Sequence, residues 1–561
     1  MKIKLNKNLL KIFKNKKNNN IETIHYLIAA FKEYGIQDII ASPGTQNAGF
    51  NYIVQEDKFF NCYSVIDERS AAYVATGLIH ETGLPAVITC TGATASRNYL
   101  SALTESYYRN IPLIALTFYD PNGNDYAQIP QHVNRSISQK DIKRLSIELP
   151  NIKNGGNLSE CLMLINAALS TAFYKKVPVH INCPAGGNFN EIDSKLVPNK
   201  IWKTEYYFDN FDILKESIEK KRTAIFIGSH SKFDKETLSN ISNFVEKQNI
   251  PVFCDHTSSY HGANKVLISQ GVKSIPKTER PEFIIDIGNV CGDYSAYSLF
   301  MNADVCRISP LGDYTCRYYV PVTKLYTCTE KMFFNNACKY DKLTSNNYYN
   351  VIKTSIPEDS NLDLPLCNAL ICKYLAKYLP EHCSLNVSIL NSLRNINFMN
   401  LHESIDVNCN VGGFGIDGAL STLVGMSLSN KEKLFFGLIG DLAFFYDMNI
   451  LGNRHIQKNL RIILVNNNRG EEFRLNPQLE NNKGEKSDLL VAAAAHNING
   501  AKAWAESCGF HYMNTTTKEN LENLIKDFCK NDFNKPVLFE IFTTHDDEKK
   551  GLSTIRNKYG Q

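Results

Sequence analysis

The stretch of sequence that decides the fold is GDLAFFYDMNILGNRHIQKNLRIILVNNNRGEEF, at residues 440–473. It begins where one apolar run ends in Gly440-Asp441, continues through a helical segment, and contains a second apolar run that ends near Asn467-Asn468. Two short apolar runs joined by a helix predict a βαβ unit with two parallel strands. Because parallel strands end at the same edge of a sheet, we expect the polar residues after both strands to lie together there, where such sheets bind ligands.

The residues after these two strands offer hard oxygen atoms. Asp441 supplies a carboxylate, Asn468 an amide oxygen and Gly470 a backbone carbonyl. Oxygen ligands of this kind suit Mg²⁺, which keeps coordination positions open for the phosphates of a bound ligand. The alternative interpretation is that Asp441 caps a helix and that the asparagine run is an ordinary turn.

The same alternation of short apolar runs and helical segments continues over most of the chain. It divides the sequence into a basic tail at residues 1–20 and three blocks at residues 21–190, 205–343 and 363–561. A length of 561 residues supports three or four domains of ordinary size. Strands that alternate with helices form parallel sheets covered on both faces. The sequence therefore predicts an α/β protein with three doubly wound parallel-sheet domains.

Composition excludes several classes of protein. A net charge of +4 is too balanced for a dedicated nucleic-acid-binding protein, and no apolar run approaches the roughly 20 residues that an integral membrane segment needs. The 16 cysteines include no CxxC pair, and many lie in apolar runs, which is typical of buried free thiols rather than of disulfides or a zinc site. The Lys-rich start lacks the apolar core of a signal peptide, so we expect a cytoplasmic protein.

The Gly-Asp and Asn-Asn pairs at this interval resemble the signature of the thiamine-diphosphate (ThDP) enzymes. In that family the two pairs hold Mg²⁺ on the diphosphate of the cofactor. The resemblance implies that Asp441, Asn468 and Gly470 are the metal ligands. It also implies pyrimidine-binding, central and diphosphate-binding domains in that order. The cofactor then lies between subunits of a homodimer or homotetramer.

A second motif, Asp67-Glu68-Arg69, closes an apolar strand and opens a helix in the first block. On its own, Glu68 could be no more than an acid favoured by the helix N-terminus. In ThDP enzymes a glutamate at this place bonds the pyrimidine ring of the cofactor and helps to remove the thiazolium proton. The resemblance therefore implies that Glu68 is the activating acid, a role that suits a carboxyl group whose pKa burial raises.

Longer segments narrow the resemblance to the MenD-like branch, whose members decarboxylate 2-oxoglutarate and add the product to isochorismate. The segments include SPGTQNAGF at residues 42–50, DERSAAYVATGL at 67–78 and GFGIDGALST at 413–422. By this resemblance Ile416 would bend the cofactor into its V shape. The other residues that it places at the cofactor are Thr94, Ser388, Asp417, Gly440, Leu442 and Phe473, with Asn391 beside Ser388.

Four positions that are basic in the MenD-like branch are replaced in this chain. The replacements are Thr45-Gln46-Asn47, Thr117–Pro121, Val411 and Gly292-Asp293-Tyr294. Buried carboxylates need partners such as bidentate arginine, because an unpaired buried charge is costly. Their loss predicts a different acceptor, such as a sugar or another polyhydroxy compound, and a smaller or less anionic donor.

New polar residues stand near the expected reaction centre. Glu471, Glu472 and Arg474 follow the metal loop, and Glu472 could be an added acid or base, with a solvated loop as the alternative. Gln131 falls near a position that faces the reacting carbon, and His132 adds a titratable group beside it, although a single loop histidine is more often a surface residue.

The sequence therefore predicts a ThDP- and Mg²⁺-dependent 2-oxoacid decarboxylase and carboligase that transfers the decarboxylated acyl carbanion to an unidentified acceptor. The predicted catalytic residues are Glu68, Gln131, His132 and Glu472. Two enzymatic alternatives are the MenD-type reaction itself, with 2-oxoglutarate and isochorismate, and decarboxylation without an acceptor. A scaffold that retains the cofactor fold is the alternative from another class, which an intact Glu68 argues against.

Overall fold

The computed structural model describes residues 22–92, 94–120, 139–152, 157–185, 214–310, 318, 320, 322–343, 347–358, 362–495, 500–530 and 532–560. The basic tail at residues 1–20 and the predicted catalytic residues Gln131 and His132 lie outside the described residues. The chain divides into two compact units, Met1–Tyr206 and Tyr207–Gln561.

The first unit is built around one parallel six-stranded sheet with the order β2-β1-β3-β4-β6-β5. Every residue of its strand Ala86–Cys90 is buried, which requires cover on both faces of the sheet. The strands are β1 (Asp38–Ala41), β2 (Asn61–Ser64), β3 (Ala86–Cys90), β4 (Leu113–Tyr119), β5 (Leu145–Glu148) and β6 (Val179–Pro184). The described helices are α1 (Glu22–Glu33), α2 (Ala48–Glu56), α3 (Glu68–Thr82), α4 (Leu100–Arg109) and α5 (Leu158–Lys175).

The second unit contains two further parallel six-stranded sheets, and the first of them has the order β12-β11-β10-β7-β8-β9. Its strands are β7 (Thr223–Ile227), β8 (Val252–Cys254), β9 (Lys265–Leu267), β10 (Phe283–Ile287), β11 (Asp304–Ile308) and β12 (Val322–Tyr326). The helices around it are α6 (Lys215–Lys220), α7 (Lys235–Gln248), α8 (Ile268–Gly271), α9 (Tyr297–Phe300), α10 (Glu330–Ala337) and α11 (Tyr348–Ser355).

The last sheet has the order β14-β13-β15-β16-β18-β17. Its strands are β13 (Ser384–Val387), β14 (Asp406–Asn408), β15 (Phe435–Gly440), β16 (Leu460–Asn466), β17 (His511–Thr515) and β18 (Val537–Phe542). Its helices are α12 (Asn368–Tyr378), α13 (Asn391–Ile396), α14 (Ala419–Leu428), α15 (Asp441–Asp447), α16 (Glu471–Leu475), α17 (Pro477–Asn482), α18 (Gly500–Ser507), α19 (Leu521–Phe528) and α20 (His545–Lys558). These elements bury a separate apolar core around β13, β15, β16 and β18.

The two sheets of the second unit contact each other through the segment that follows α13. The Nε2 atom of His256 lies 2.9 Å from the carbonyl oxygen of Met399, and the side-chain amide of Gln270 donates to the carbonyl of Phe398 at 2.9 Å. Burial lowers the pKa of His256 to about 3, so its ring stays neutral and can donate to that carbonyl. The end of α13 is therefore fixed against the central sheet.

The predicted fold class is confirmed, because the structure has three parallel sheets with helices between their strands. The domain boundaries at residues 190, 205, 343 and 363 stay a prediction. The second and third sheets both lie in the compact unit Tyr207–Gln561. Five strands at or near the sheet edges are not marked by clear apolar runs in the sequence, because they are short or only partly buried. These strands are β5, β9, β12, β14 and β17.

Two observations bear on the excluded classes of protein. Within the described ranges, the structure contains no helix with the length and apolarity that a membrane span needs. The described cysteines are all free, and most of them are buried in the cores of the three sheets.

Candidate active site

The carboxyl ends of β15 and β16 lie side by side. The two strands are parallel neighbours, and Gly440 lies opposite Val465. The segments that follow them are joined directly, since the backbone N–H of Arg469 donates to Oδ2 of Asp441 at 3.0 Å. The two strand ends thus present their polar residues at one edge, as parallel pairing requires.

Asp441 is a buried carboxyl group at this edge, with 3% of its surface exposed. Burial raises its pKa to about 7, although the backbone N–H groups of Leu442 and Arg469 donate to it and oppose the shift. A bound divalent cation would stabilise the ionised form. The buried position of Asp441 therefore suits a carboxylate that binds a divalent cation.

The asparagine run contributes an unsatisfied acceptor. The Oδ1 atom of Asn467 is buried and accepts no hydrogen bond from any described residue. Asn468 instead adopts a left-handed backbone, with φ of 63°, and its N–H donates to Oδ1 of Asn466 at 3.0 Å. A buried acceptor without a partner costs about 1–3 kcal/mol of stability, and a bound cation would remove that cost. The side-chain oxygen of Asn467 is therefore available to a cation at this edge. The resemblance to the ThDP enzymes points to Asn468 rather than to Asn467, which lies in the middle of the same run.

Leu442 and Phe473, which were predicted at the cofactor, lie around the next turn together with Gly470, which was predicted as a metal ligand. The N–H of Gly470 donates to the carbonyl of Ala492 at 2.6 Å. A Cβ atom at Gly470 would lie 2.9 Å from Cδ1 of Leu442 and 3.2 Å from the ring of Phe473. The turn therefore leaves no room for a side chain at residue 470.

A neighbouring strand end supplies hydrogen-bonding groups that fit a diphosphate. The hydroxyl of Ser388, just after β13, accepts the N–H of Gly440 at 3.1 Å and lies 3.1 Å from the hydroxyl of Ser392. The Nδ2 atom of Asn391 is buried and has no acceptor among the described residues. The edge thus combines an open acceptor for a cation with an open donor for a phosphate oxygen.

The GFGIDG segment forms a tight turn before α14. Phe414 has a φ of 54° and Gly418 a φ of 78°, and a Cβ atom at Gly415 would collide with Oδ1 of Asp417 at 2.2 Å. Positive φ is costly for a phenylalanine, so the surrounding packing must hold this turn in place. The turn leaves Ile416 and Asp417 partly exposed to solvent.

The charged residues after the metal loop form ion pairs rather than a solvated loop. Glu471 and Arg474 are buried, and Arg474 donates to Glu480 at 2.8 Å and to Asp488 at 2.7 Å. Glu471 is paired with His545. Burial raises the pKa of Glu471, whereas His545 opposes that shift. This network clamps α16 to the segments around it.

Glu472 has a different environment. The guanidinium of Arg394 on α13 donates to both of its carboxylate oxygens, at 2.6 and 2.8 Å. A bidentate arginine fixes the direction of a carboxylate and occupies both of its oxygens. Glu472 can therefore act as the predicted acid or base only after this pair opens.

In the first unit, Glu68 is the first residue of α3. Asp67 caps this helix by accepting the N–H of Ser70 at 3.2 Å, and the side-chain amide of Asn98 donates to Oε2 of Glu68 at 2.9 Å. Glu68 is partly exposed, so a ligand can reach its carboxylate. Thr94, the other predicted cofactor residue of this unit, is exposed.

The positions expected to be basic that lie in the second unit carry Val411, Gly292, Asp293 and Tyr294, none of which is basic. Val411 is fully buried, and Gly292 packs so closely that a Cβ atom would lie 2.5 Å from Leu393 and 3.2 Å from Val411. The ring of Tyr294 is 67% exposed and lies 5.8 Å from the ring of Phe414. A basic residue that was not predicted at the site, Arg394, follows the Leu393 that packs against Gly292.

Comparisons with known proteins identify the family. The thiamine pyrophosphate enzyme N-terminal TPP binding domain matches residues 21–142. A relative from Flavobacterium johnsoniae is 30% identical over 469 residues, which cover 79% of this chain and 82% of the relative, and it is a 2-succinyl-5-enolpyruvyl-6-hydroxy-3-cyclohexene-1-carboxylate (SEPHCHC) synthase. The chain belongs to the SEPHCHC synthase family. SEPHCHC synthases from Phocaeicola vulgatus and Bacteroides thetaiotaomicron are 28% and 29% identical, each over 96% of this chain and 98% of the relative.

A solved structure shows the same fold. The thiamine diphosphate-dependent 4-hydroxybenzoylformate decarboxylase of Rhodococcus jostii RHA1 superposes with a TM-score of 0.70, at 16% identity, over 94% of this chain and 100% of that chain. The member of the SEPHCHC synthase family described here is thus a ThDP-dependent enzyme that uses ThDP with a divalent cation such as Mg²⁺. The buried carboxyl group of Asp441 and the amide atoms of Asn467 and Asn391 that have no partner among the described residues fit that cofactor.

Proposed function

We propose that this chain is a SEPHCHC synthase, which decarboxylates 2-oxoglutarate and adds the resulting unit to isochorismate. The observation that carries this proposal is similarity to SEPHCHC synthases over nearly the full length of both chains. The adjoining ends of β15 and β16, where Asp441 is buried and bonded to the N–H of Arg469, support it. This is the alternative of the sequence analysis, and the comparisons favour it over an unidentified acceptor.

For the metal we propose Asp441 and Asn467 as side-chain ligands. We choose Asn467 over Asn468 because the side-chain oxygen of Asn467 has no hydrogen-bond donor within the described ranges. The third ligand, a backbone carbonyl two residues after the asparagine, would then belong to Arg469 rather than to Gly470. Ser388 and Asn391 would bond the diphosphate. When bound, ThDP supplies the stabilised carbanion that the reaction needs.

The remaining roles belong to side chains of this chain. Glu68 would hold and release the proton that activates the cofactor, since its carboxylate is fixed by Asn98 and open to a ligand. Gln131 and His132 stay predicted catalytic residues, as does Glu472. For the assembly we propose a cytoplasmic homodimer or homotetramer with active sites at the subunit interface, and light scattering of the purified protein measures its mass.

A second candidate function keeps the decarboxylation and changes the acceptor. The aromatic surface of Tyr294 and the buried Val411, at positions expected to be basic, favour an acceptor with fewer carboxylates, such as a sugar. Decarboxylation of a 2-oxoacid without any acceptor is a further form of this candidate.

One experiment separates these candidates. Purified protein with ThDP and Mg²⁺ is incubated with 2-oxoglutarate, pyruvate or 2-oxobutyrate, each with and without isochorismate, while CO₂ release is followed. We expect release to be fastest from 2-oxoglutarate and isochorismate to be consumed, with the adduct seen by mass spectrometry. Fast release from another 2-oxoacid, with isochorismate untouched, would reject the SEPHCHC synthase proposal in favour of the second candidate.

The scaffold alternative is tested by replacing the activating acid. Glu68→Gln removes the proton-transferring group, and general acid–base groups typically contribute about 100-fold or more to a rate. The matched control is Glu33→Gln on the exposed surface of α1, which should keep full activity. Equal CO₂ release by both variants would show that Glu68 does not activate the cofactor.

A further inference from the structure

A buried glutamate stands beside the asparagine run, on the neighbouring strand. Glu540 lies on β18, opposite Leu464 of β16 and Asn514 of β17, and its side chain is fully buried. Burial raises the pKa of its carboxyl group, whereas hydrogen bonds from Asn466 and Tyr512 oppose that shift. Among the residues that the structure describes, no cation pairs with Glu540. A buried acid without a cation is costly, so the two hydrogen bonds must hold it in place.

Each carboxylate oxygen of Glu540 accepts one hydrogen bond. The Nδ2 atom of Asn466 donates to Oε1 at 2.7 Å, and the hydroxyl of Tyr512 donates to Oε2 at 2.7 Å. The register of the strands places Asn466 opposite Phe542 and Tyr512 opposite Leu538, each two residues from Glu540. Because side chains alternate between the faces of a sheet, these three polar side chains lie on the same face.

The bond to Glu540 decides which way the amide of Asn466 faces. A carboxylate only accepts hydrogen bonds, so it takes the Nδ2 end of the amide and turns Oδ1 toward the following loop. There Oδ1 accepts the N–H of Asn468 at 3.0 Å and closes a turn in which Asn468 has a φ of 63°. A flipped amide would bring a second donor against that N–H and open the turn. We call Glu540, Asn466 and the N–H of Asn468 the loop anchor.

The loop anchor ends at the proposed metal ligands. The turn that it closes contains Asn467, whose side-chain oxygen is buried and accepts no hydrogen bond from the described part of the chain. The residue after the turn, Arg469, donates its N–H to Oδ2 of Asp441 at 3.0 Å. Both proposed side-chain ligands therefore lie in, or are bonded to, the segment whose start the anchor fixes.

We propose that Glu540 is a positioning residue, which fixes the metal loop through Asn466 and thereby sets the affinity for Mg²⁺ and ThDP. Its hydrogen bonds go to Asn466 and Tyr512 rather than to a proposed ligand, so it acts on the metal only through the turn. The inference rests on the proposed metal ligands Asp441 and Asn467. It adds to them a residue from another strand, whose task is the orientation of one amide.

Two substitutions at the same carboxylate separate this role from a purely structural one. Glu540→Met fills similar space and removes the acceptor that orients Asn466. Tyr512→Phe removes the other hydrogen bond of Glu540 and leaves the loop anchor intact, so it is the matched control. Both should lower the urea midpoint, because each breaks a hydrogen bond of a buried group. Only Glu540→Met should weaken the binding of Mg²⁺ and ThDP.

A conservative variant grades the effect. Glu540→Gln can still accept a hydrogen bond from Asn466, but its own amide also carries a donor, so it no longer requires one orientation of the Asn466 amide. We expect its affinity for Mg²⁺ to fall between those of the wild type and Glu540→Met. If Glu540→Met does not fold, Glu540→Gln decides the proposal by the same comparison with Tyr512→Phe.

The measurement is a calorimetric titration of the full-length, cofactor-free protein with ThDP at saturating Mg²⁺, and with Mg²⁺ at saturating ThDP. We expect both dissociation constants to rise about 10-fold or more in Glu540→Met, which is the range for a lost hydrogen bond to a charged group, and to stay at the wild-type value in Tyr512→Phe. The kcat for CO₂ release at saturating Mg²⁺ and ThDP should stay unchanged, because the substitution removes binding and not a reacting group.

Three results would overturn the positioning role: wild-type affinities in Glu540→Met, equal losses of affinity in Glu540→Met and Tyr512→Phe, or a fall in kcat with unchanged affinity. Asp441→Asn checks the proposed metal site separately. Unchanged Mg²⁺-dependent ThDP binding in Asp441→Asn would reject the proposed ligands themselves. Loss of binding in Asp441→Asn together with wild-type binding in Glu540→Met would reject only the role of Glu540.

Discussion

Protons and the metal ion should compete for the carboxyl group of Asp441, and this competition gives the most direct test of the proposed metal site. Burial raises the pKa of Asp441 to about 7 in the metal-free protein, and a metal binds only the ionised carboxylate. The ionised fraction then falls from about 0.9 at pH 8 to about 0.09 at pH 6 and about 0.01 at pH 5. We therefore expect the apparent dissociation constant for the metal to rise about 10-fold at pH 6 and about 90-fold at pH 5, relative to pH 8.

The assay is a titration of cofactor-free protein with Mn²⁺, an EPR-visible substitute for Mg²⁺, at pH 8, 7, 6 and 5. An aspartate with an ordinary pKa near 3.9 would change the affinity by less than about 10% over the same range. Asp441→Asn should abolish binding. Glu548→Gln is the control, because burial also raises the pKa of Glu548 to about 7 although it contacts Thr543 and Asn368 instead of Asp441. An affinity that stays flat from pH 8 to pH 6 would refute the reasoning about Asp441.

Three further predictions concern single residues. Asn467→Ala should weaken Mg²⁺-dependent ThDP binding about 10-fold or more, whereas Asn468→Ala should have the smaller effect, and a calorimetric titration showing the reverse order would return the ligand role to Asn468. Gly470→Ala should destabilise the protein by about 1–3 kcal/mol, because its Cβ atom would lie 2.9 Å from Leu442, and an unchanged urea midpoint would contradict that packing. Glu548 has a folded-state pKa above its unfolded value, so its stabilising effect is complete below about pH 4.5 and is lost as pH rises through about 7. Glu548→Gln should therefore reduce the fall in Tm between pH 5 and pH 8, and an unchanged slope would show that another group controls it.

Local patterns predicted the elements whose ends are marked by capping residues. The sequence predicts helical segments at residues 68–82 and 94–108. The first agrees with α3 because Asp67 caps its start and Gly83, with φ of 70°, ends it. The segment 94–108 was less accurate, since a short turn at Ala95–Arg97 precedes α4. The three-residue strands β9 and β14 carry too few residues to show an alternating pattern, so only their pairing with a neighbour defines them.

The sequence predicted those site residues that directly follow a strand. Asp441 and the asparagine run could be placed at a common edge, because parallel neighbours must end together. The open oxygen of Asn467 could not be distinguished from that of Asn468, since the choice depends on which side chain the backbone turn leaves without a donor.

The sequence by itself determined the parallel α/β architecture and the edge at which a cation is expected, because hydrophobic periodicity and strand-end chemistry are local properties. The cofactor class came from the resemblance of its motifs to those of the ThDP enzymes. Only the tertiary structure decided that Glu472 is held by Arg394 and that Val411 is buried. Those features join residues far apart in the chain, and the distances that fix a charge or leave it open arise only when the sheets and helices pack together.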